Sequence, residues 1–184
     1  YVPSGLGCIH YGQVHTHFGR VARSSLTFLP EDSRLRLRLA SRGDVVIAAT
    51  SEDVVGLGKA TVWLGDDEVA VHDDCYIFRH RLDPKFASYI FASPWFQHEK
   101  KQYAGGTKVT RISGADLAMI KIPIPPFNIQ VRIGESLCEL SAQVEALRVE
   151  HDRLLGLRTA ILTTLLSQGV EIGAPYDSLL NGVA

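Results

Sequence analysis

From residue 126 onward the apolar positions recur with a period that the front of the chain lacks. Ile133, Leu140, Leu147, Leu154 and Ile161 fall every seven residues, and Leu137, Val144, His151, Arg158 and Leu165 take the complementary position, so the steps alternate between four and three. That spacing is a coiled-coil seam. A helix from Phe127 to Gln168 would run about 60 Å and could not bury such a stripe by itself, which predicts pairing with another helix. His151 and Arg158 interrupt the seam at positions suited to setting register or partner choice. Two other arrangements fit the same residues: a helix lying on the front of the chain, or an αα-hairpin broken near Gly156. Gly169 is placed to close the helix, leaving a loose tail.

The helix is preceded by "KIPIPPFNIQVRI", with Pro123, Pro125 and Pro126. Proline fixes φ and holds the residue before it extended, so this stretch is a boundary and not helix interior. Pro126 suits the first helical turn, where its missing N–H costs nothing. The expected organisation is a globular unit over residues 1–122, a proline step over 123–127, a long helix over 128–168 and a tail over 169–184.

In the front part the pattern is that of short strands. "GDVVIAAT" reads as a turn followed by a buried strand, and "KATVWL" and "VAVHDDCYIFRH" as further strands separated by the turn Gly65-Asp66-Asp67. "RLRLRLA" alternates arginine with leucine, which in a strand places charge on one face and leucine on the other. Residues 84–102 read as helical, interrupted near Pro94, with Phe86, Tyr89, Phe91, Trp95 and Phe96 as core candidates. "GGTKVTRISGADL" is a glycine-led polar loop leading into a helical turn or short strand. The expected class is therefore α/β, of the α+β kind, followed by one long helix.

Composition narrows the class. An apolar content of 46% is ample for a core. Cys8, Cys75 and Cys138 are an odd number without metal-ligand spacing, which points to a reducing compartment, with the cytoplasm as the default. No apolar run approaches a membrane span, and the start at Tyr1 is not signal-like. The net charge of −1 argues against a polyanionic partner, but its distribution is uneven. Residues 20–42 carry Arg20, Arg23, Arg34, Arg36, Arg38 and Arg42 against Glu31 and Asp32, and residues 79–111 are also basic. Beyond residue 126 acids predominate. The front of the chain is suited to face a polyanion and the back is not.

Candidate chemistry is sparse. "CIHYGQVHTH" gathers Cys8, His10, His15 and His17, and in a strand His15 and His17 would share a face, as a zinc site requires. A polar surface strand or DNA-facing loop explains the same residues. "VVGLGKAT" has the wrong glycine spacing for a phosphate loop, and Ala60 stands where a hydroxyl must bind magnesium. No hydrolase or cofactor signature is present. "YAGGTKVTRIS" is better suited to binding, since its glycines permit close backbone approach, Lys108 and Arg111 supply charge, and Thr107 and Thr110 supply short polar tips.

Taken in order, "IHYGQVHTHFG", "RGDVVIAATSEDVVGLGKA" and "GGTKVTRISGADLAMIKIPIPPFNIQVRIGESL" resemble the landmarks of the DNA-specificity subunits of type I restriction-modification systems, most strongly from Gly105 to Leu137. Pro123, Pro125 and Pro126 match the family's proline step and Gln130 its following glutamine, while Asn128 and Ile129 stand where acids are usual. The resemblance implies a mixed-sheet target-recognition domain followed by a conserved helix that pairs antiparallel with a counterpart. It implies a chain without catalysis or cofactor of its own. S-adenosylmethionine and ATP would serve the partner modification and restriction subunits. A whole subunit has two recognition domains and two helices, and this chain shows one of each. It is thus a half-subunit that pairs with itself or with a second half, or else a fragment. Self-pairing would predict an interrupted palindrome as target. The implied DNA-contacting residues are Tyr11, Gln13, His15, Thr16, His17, Arg20, Lys59, Thr107, Lys108, Thr110 and Arg111, and the helix-pairing residues are those of the seam. Two rival readings stand beside this one: a coiled-coil interaction module without nucleic acid, and a metal enzyme built on the histidine cluster.

Overall fold

The run Val45-Val46-Ile47-Ala48 is apolar at every position, and every one of these side chains is buried. A strand covered on both faces needs no polar alternation, and this strand is the centre of the fold. The computed structural model describes residues 1–105 and 110–167, so Thr107, Lys108 and the tail over 169–184 lie outside the described residues.

In chain order the elements are β1 (Leu6–Ile9), α1 (Tyr11–Thr16), β2 (Val21–Ala22), β3 (Thr27–Leu29), a 3-10 helix (Glu31–Arg36), β4 (Arg38–Ala40), β5 (Val45–Ala48), β6 (Thr50–Ser51), β7 (Ala60–Trp63), β8 (Val69–Val71) and β9 (Cys75–Phe78). They continue with α2 (Pro84–Ile90), α3 (Pro94–Glu99), a 3-10 turn (Lys100–Tyr103), β10 (Thr110–Arg111), α4 (Gly114–Met119) and α5 (Phe127–Ser167). One sheet has the order β3-β1-β8-β4 and the other β2-β7-β5-β9. Each is mixed, because β1 runs parallel to β8 and β2 to β7 while the remaining pairs are antiparallel. β10 and β6 form a separate antiparallel ribbon.

The two faces of β5 serve two cores. Val46 and Ala48 join Ile9, Val14, Phe18, Trp63, Val69 and Val71, and Val45 and Ile47 join Val62 of β7, Phe86 and Ile90 of α2, Phe91 at its end and Phe96 of α3. Asp83 and Ser93 cap α2 and α3, each followed by proline in the first turn, which explains the break at Pro94. Phe86, Phe91 and Phe96 are core as expected, whereas Trp95 is exposed and donates its indole N–H to the Lys121 carbonyl. Cys8 and Cys75 are buried free thiols, and burial pushes Cys75 up to about 12, far from a reactive thiolate.

Two segments weighed as strands are helical, one in part and one throughout. "RLRLRLA" is extended only over Arg38–Ala40; Glu31–Arg36 forms the 3-10 helix, with Glu31 and Asp32 in its first turn and Arg34 and Arg36 in its last. That charge order suits the helix dipole, and Arg34 closes onto Glu31 at 2.7 Å. "YGQVHT" is α1, so His15 and His17 do not share a strand face. Among the described residues no group of three His, Cys, Asp or Glu could hold a metal ion, and no helix is long and apolar enough to cross a membrane.

The chain divides into two units, Tyr1–Cys138 and Glu139–Ala184. α5 begins directly after Pro126, whose carbonyl accepts from the N–H groups of Ile129 and Gln130. Its residues 127–138 belong to the first unit and are fastened to α2. Gln130 is buried, accepts from the Asp83 N–H at 3.0 Å and donates to the Pro125 carbonyl at 2.8 Å. Tyr89 donates its hydroxyl to the Leu137 carbonyl at 2.7 Å. Gly134 permits the approach: a Cβ there would lie 2.8 Å from the Phe86 nitrogen. In the second unit the helix continues without a break through Gly156 to Ser167, which excludes the αα-hairpin. Every residue from Ala142 to Ser167 is exposed, including Val144, Leu147, His151, Leu154, Arg158, Ile161 and Leu165 of the seam.

Candidate nucleic-acid interface

Two of the polar segments singled out in the sequence meet on the ribbon of β6 and β10. α1 follows β1 and ends at His17, and its His15 Nε2 lies 3.0 Å from the carbonyl oxygen of Thr50 in β6. Thr50 is the register partner of Arg111, and Ser51 that of Thr110. Lys59, just before β7, donates to the His15 carbonyl at 2.8 Å. The helix end, the ribbon and the lysine are thus knitted into one surface. Arg111 and Lys59 are exposed on it.

The remaining α1 residues divide by role. Tyr11 is 42% exposed, with its ring edge-on to His15 at 6.1 Å. Thr16 donates to the Gly12 carbonyl and lies 2.6 Å from His17 Nδ1, both on the exposed side. Gln13 is occupied internally: its Oε1 accepts from the His10 N–H and its Nε2 donates to Thr27, while Thr27 in turn donates to the Cys8 carbonyl. A buried amide satisfied in this way closes the helix start and fastens it to β1 and β3. Arg20 stands over the Tyr89 ring at 4.4 Å, a cation–π contact directed towards α2.

The charge of residues 20–42 is largely spent within the fold. Arg34 pairs with Glu31 and Glu68, Arg38 with Asp73, and Arg42 with Asp66. From the second basic segment Arg79 pairs with the buried Asp44, which also accepts from the Ser41 N–H. Local sequence counts only neighbouring acids, whereas Asp66, Glu68 and Asp73 are brought in by β8 and its flanking turns. Among the described residues, Lys59 and Arg111 are the exposed cationic groups placed on the α1 and ribbon surface.

Sequence reasoning missed Lys100. It is 1% exposed, donates to the carbonyls of Val55 and Leu57, and burial brings its ammonium down to about 8. Its neighbours Lys101 and Gln102 are exposed, and no periodicity distinguishes it from them.

The family model for the type I restriction modification DNA specificity domain matches residues 40–152. The chain is 25% identical over 178 residues to the type I restriction enzyme MjaVIII specificity subunit of Methanocaldococcus jannaschii, covering 94% of this chain and 41% of that protein. It is 25% identical over 138 residues to the EcoKI specificity subunit of Escherichia coli K12, covering 74% of this chain and 30% of that one. It therefore spans less than half the length of these relatives. A chain from a structure solved to explain complex assembly and conformational transition of the type I R-M system shares the fold, with a TM-score of 0.56 at 22% identity, covering 88% of this chain and 36% of the other. With a match that runs from β4 through the proline step into α5, the chain belongs to the type I restriction-modification DNA specificity family.

Proposed function

We propose that the chain recognises a short element of double-stranded DNA as one recognition half of a type I specificity subunit, and that it positions modification and restriction subunits at a bipartite site. The observation that carries this reading is the family match over residues 40–152, which takes in the globular unit from the end of β4 onward and the first part of α5. The convergence of α1, Lys59 and Arg111 on one surface supports it. Affinity comes from lysine and arginine on phosphates, and specificity from side chains on base edges in the major groove. Tyr11, His15, Thr16, His17, Lys59, Thr110 and Arg111 are the contact residues of this reading, with Thr107 and Lys108 on the connecting loop. Arg20, exposed beside α1 and over the Tyr89 ring, belongs with them, and the buried Gln13 acts as a support. Methyl transfer from S-adenosylmethionine and ATP-driven cleavage fall to the partner subunits, and this chain needs no cofactor.

The domain boundaries follow from the same reading: recognition by residues 1–122, a step at 123–127, and a pairing helix over 128–168. The exposed seam supports pairing with a second copy or a second half-subunit, and a two-fold pair would read an interrupted palindrome. Selection of bound duplexes from a random pool tests the function. Enrichment of a defined element, with binding that weakens as salt rises, is the expected result. A salt slope near zero would rule out phosphate neutralisation.

A protein-interaction module without nucleic acid is the second reading. The pairing of Arg34, Arg38, Arg42 and Arg79 with acids favours it, because those arginines are not left for phosphates. Electrophoretic shift on random-sequence duplexes separates the two.

A further inference from the structure

Beside α1 and the β6/β10 ribbon a turn runs from Glu52 to Lys59, and it is held from beneath by the buried Lys100. The Lys100 ammonium donates to the carbonyls of Val55, at 2.8 Å, and Leu57. The Gly58 N–H donates to the Ala48 carbonyl at 3.0 Å, at a φ of +69° that a side chain would strain, with the Phe96 ring 3.2 Å from where a Cβ would stand. Asp53 accepts from the Gly56 N–H at 2.6 Å, and Leu57 is fully buried. A Cβ on Gly56 would lie 3.3 Å from His15 Cε1, so the turn touches α1. The backbone is therefore fixed while the tip points outward: Glu52 and Asp53 are exposed, Val54 is 38% exposed and Val55 78%.

Burying an ammonium group is costly, and an apolar side chain would fill the same space without that cost. What the lysine adds is donors for two inward-facing carbonyls of a turn, so it is the shape of the turn that it secures. The composition of the tip indicates what reads that shape. Two carboxylates repel phosphates, yet at base edges a carboxylate accepts from the cytosine amino group and an aliphatic side chain packs on the thymine methyl. Lys59 and Arg111 are exposed beside the tip and leave cationic charge there for the DNA.

We propose that the Glu52–Val55 tip reads base edges, with Val55 against a thymine methyl group, and that Lys100 is the positioning residue that sets the tip. The inference rests on the DNA-recognition reading above and extends it to residues that this reading does not include.

The test uses the full chain and a duplex enriched from a random pool, with each thymine replaced singly by deoxyuridine, which removes only the methyl group. Wild type should lose about four-fold in affinity at one position, the worth of one buried methyl, and Val55→Ala should be indifferent there. Lys100→Met should abolish the same methyl dependence while leaving affinity for a scrambled duplex, and its salt slope, unchanged. Should Lys100→Met fail to fold, Gly58→Ala disturbs the same turn with Lys100 in place and should give the same selective loss. A methyl dependence that is absent from wild type, or that survives Val55→Ala, overturns the base-reading assignment. Equal losses on enriched and scrambled duplexes in the Lys100 or Gly58 variant overturn the positioning role. If wild type enriches no duplex at all, the recognition reading itself fails, and this inference with it.

Discussion

His15 Nε2 lies 3.0 Å from the carbonyl oxygen of Thr50, and Thr50 stands opposite Arg111 in the β6/β10 ribbon. Residues almost a hundred positions apart are thereby joined through one short strand. His15→Ala should cost about 1 kcal/mol of stability, the worth of an ordinary internal hydrogen bond. It should also weaken binding to the cognate duplex, since α1 loses its tie to the ribbon. Denaturant unfolding paired with duplex titration checks both, and unaltered binding would separate α1 from the interface.

Arg111→Ala should lose about 1–3 kcal/mol at the cognate site and much less on scrambled sequence if the guanidinium reads a base. An equal loss on both duplexes would make it a phosphate contact. Fluorescence anisotropy at fixed salt distinguishes the two outcomes.

The front of the fold was legible where one physical signal dominated. β5 announced itself as an unbroken β-branched run, and the proline step and the long helix by φ restriction and seven-residue periodicity. The helical state of Glu31–Arg36 was not legible, because period-two alternation of arginine and leucine hides a 3-10 turn whose cause is the order of its acids and bases. Nor was that of α1, whose capping glutamine lies among residues that look like binding groups. Lys100 and Gly134 owe their roles to contacts across 43 to 45 and 48 to 51 positions respectively, a distance that no local pattern spans. For the same reason the burial of Gln13 was not legible, since its amide is satisfied by the His10 N–H and by Thr27, 14 positions away.

Gln130 and Gly134 fasten α5 to α2, and each should be sensitive to small changes. Gln130→Leu leaves the Asp83 N–H and the Pro125 carbonyl without their partner and should cost about 1–3 kcal/mol. Gly134→Ala forces a methyl against the Phe86 nitrogen and the Lys85 side chain, and should cost a comparable ~1–3 kcal/mol. Thermal melting tests both, and an unchanged midpoint in either variant would contradict the docking described.

Lys100 gives stability a pH signature. Its folded value near 8 lies below the ordinary 10.5, so between those values the unfolded chain binds more protons than the folded one. Stability from this group must therefore rise with pH through that window, and below about pH 8 its full cost, about 3 kcal/mol, is present. Wild type should gain on Lys100→Met by up to that amount between pH 8 and 10.5. A difference that stays flat with pH would show that the amine is not desolvated.

Leu147 is 70% exposed at the middle of the seam. Leu147→Lys should shift a paired assembly to monomer in sedimentation velocity, since a lysine at a seam position leaves a charge in the apolar contact. Indifference to the substitution would mean that the stripe serves some other contact.

The central claim is that this chain distinguishes one DNA sequence from another. It is tested most directly by the ratio of dissociation constants for a pool-selected duplex and its scrambled counterpart, measured at one physiological salt concentration. A ratio of at least about a hundred-fold in favour of the selected duplex is predicted. A ratio near one, with both duplexes bound equally or not at all, would contradict it.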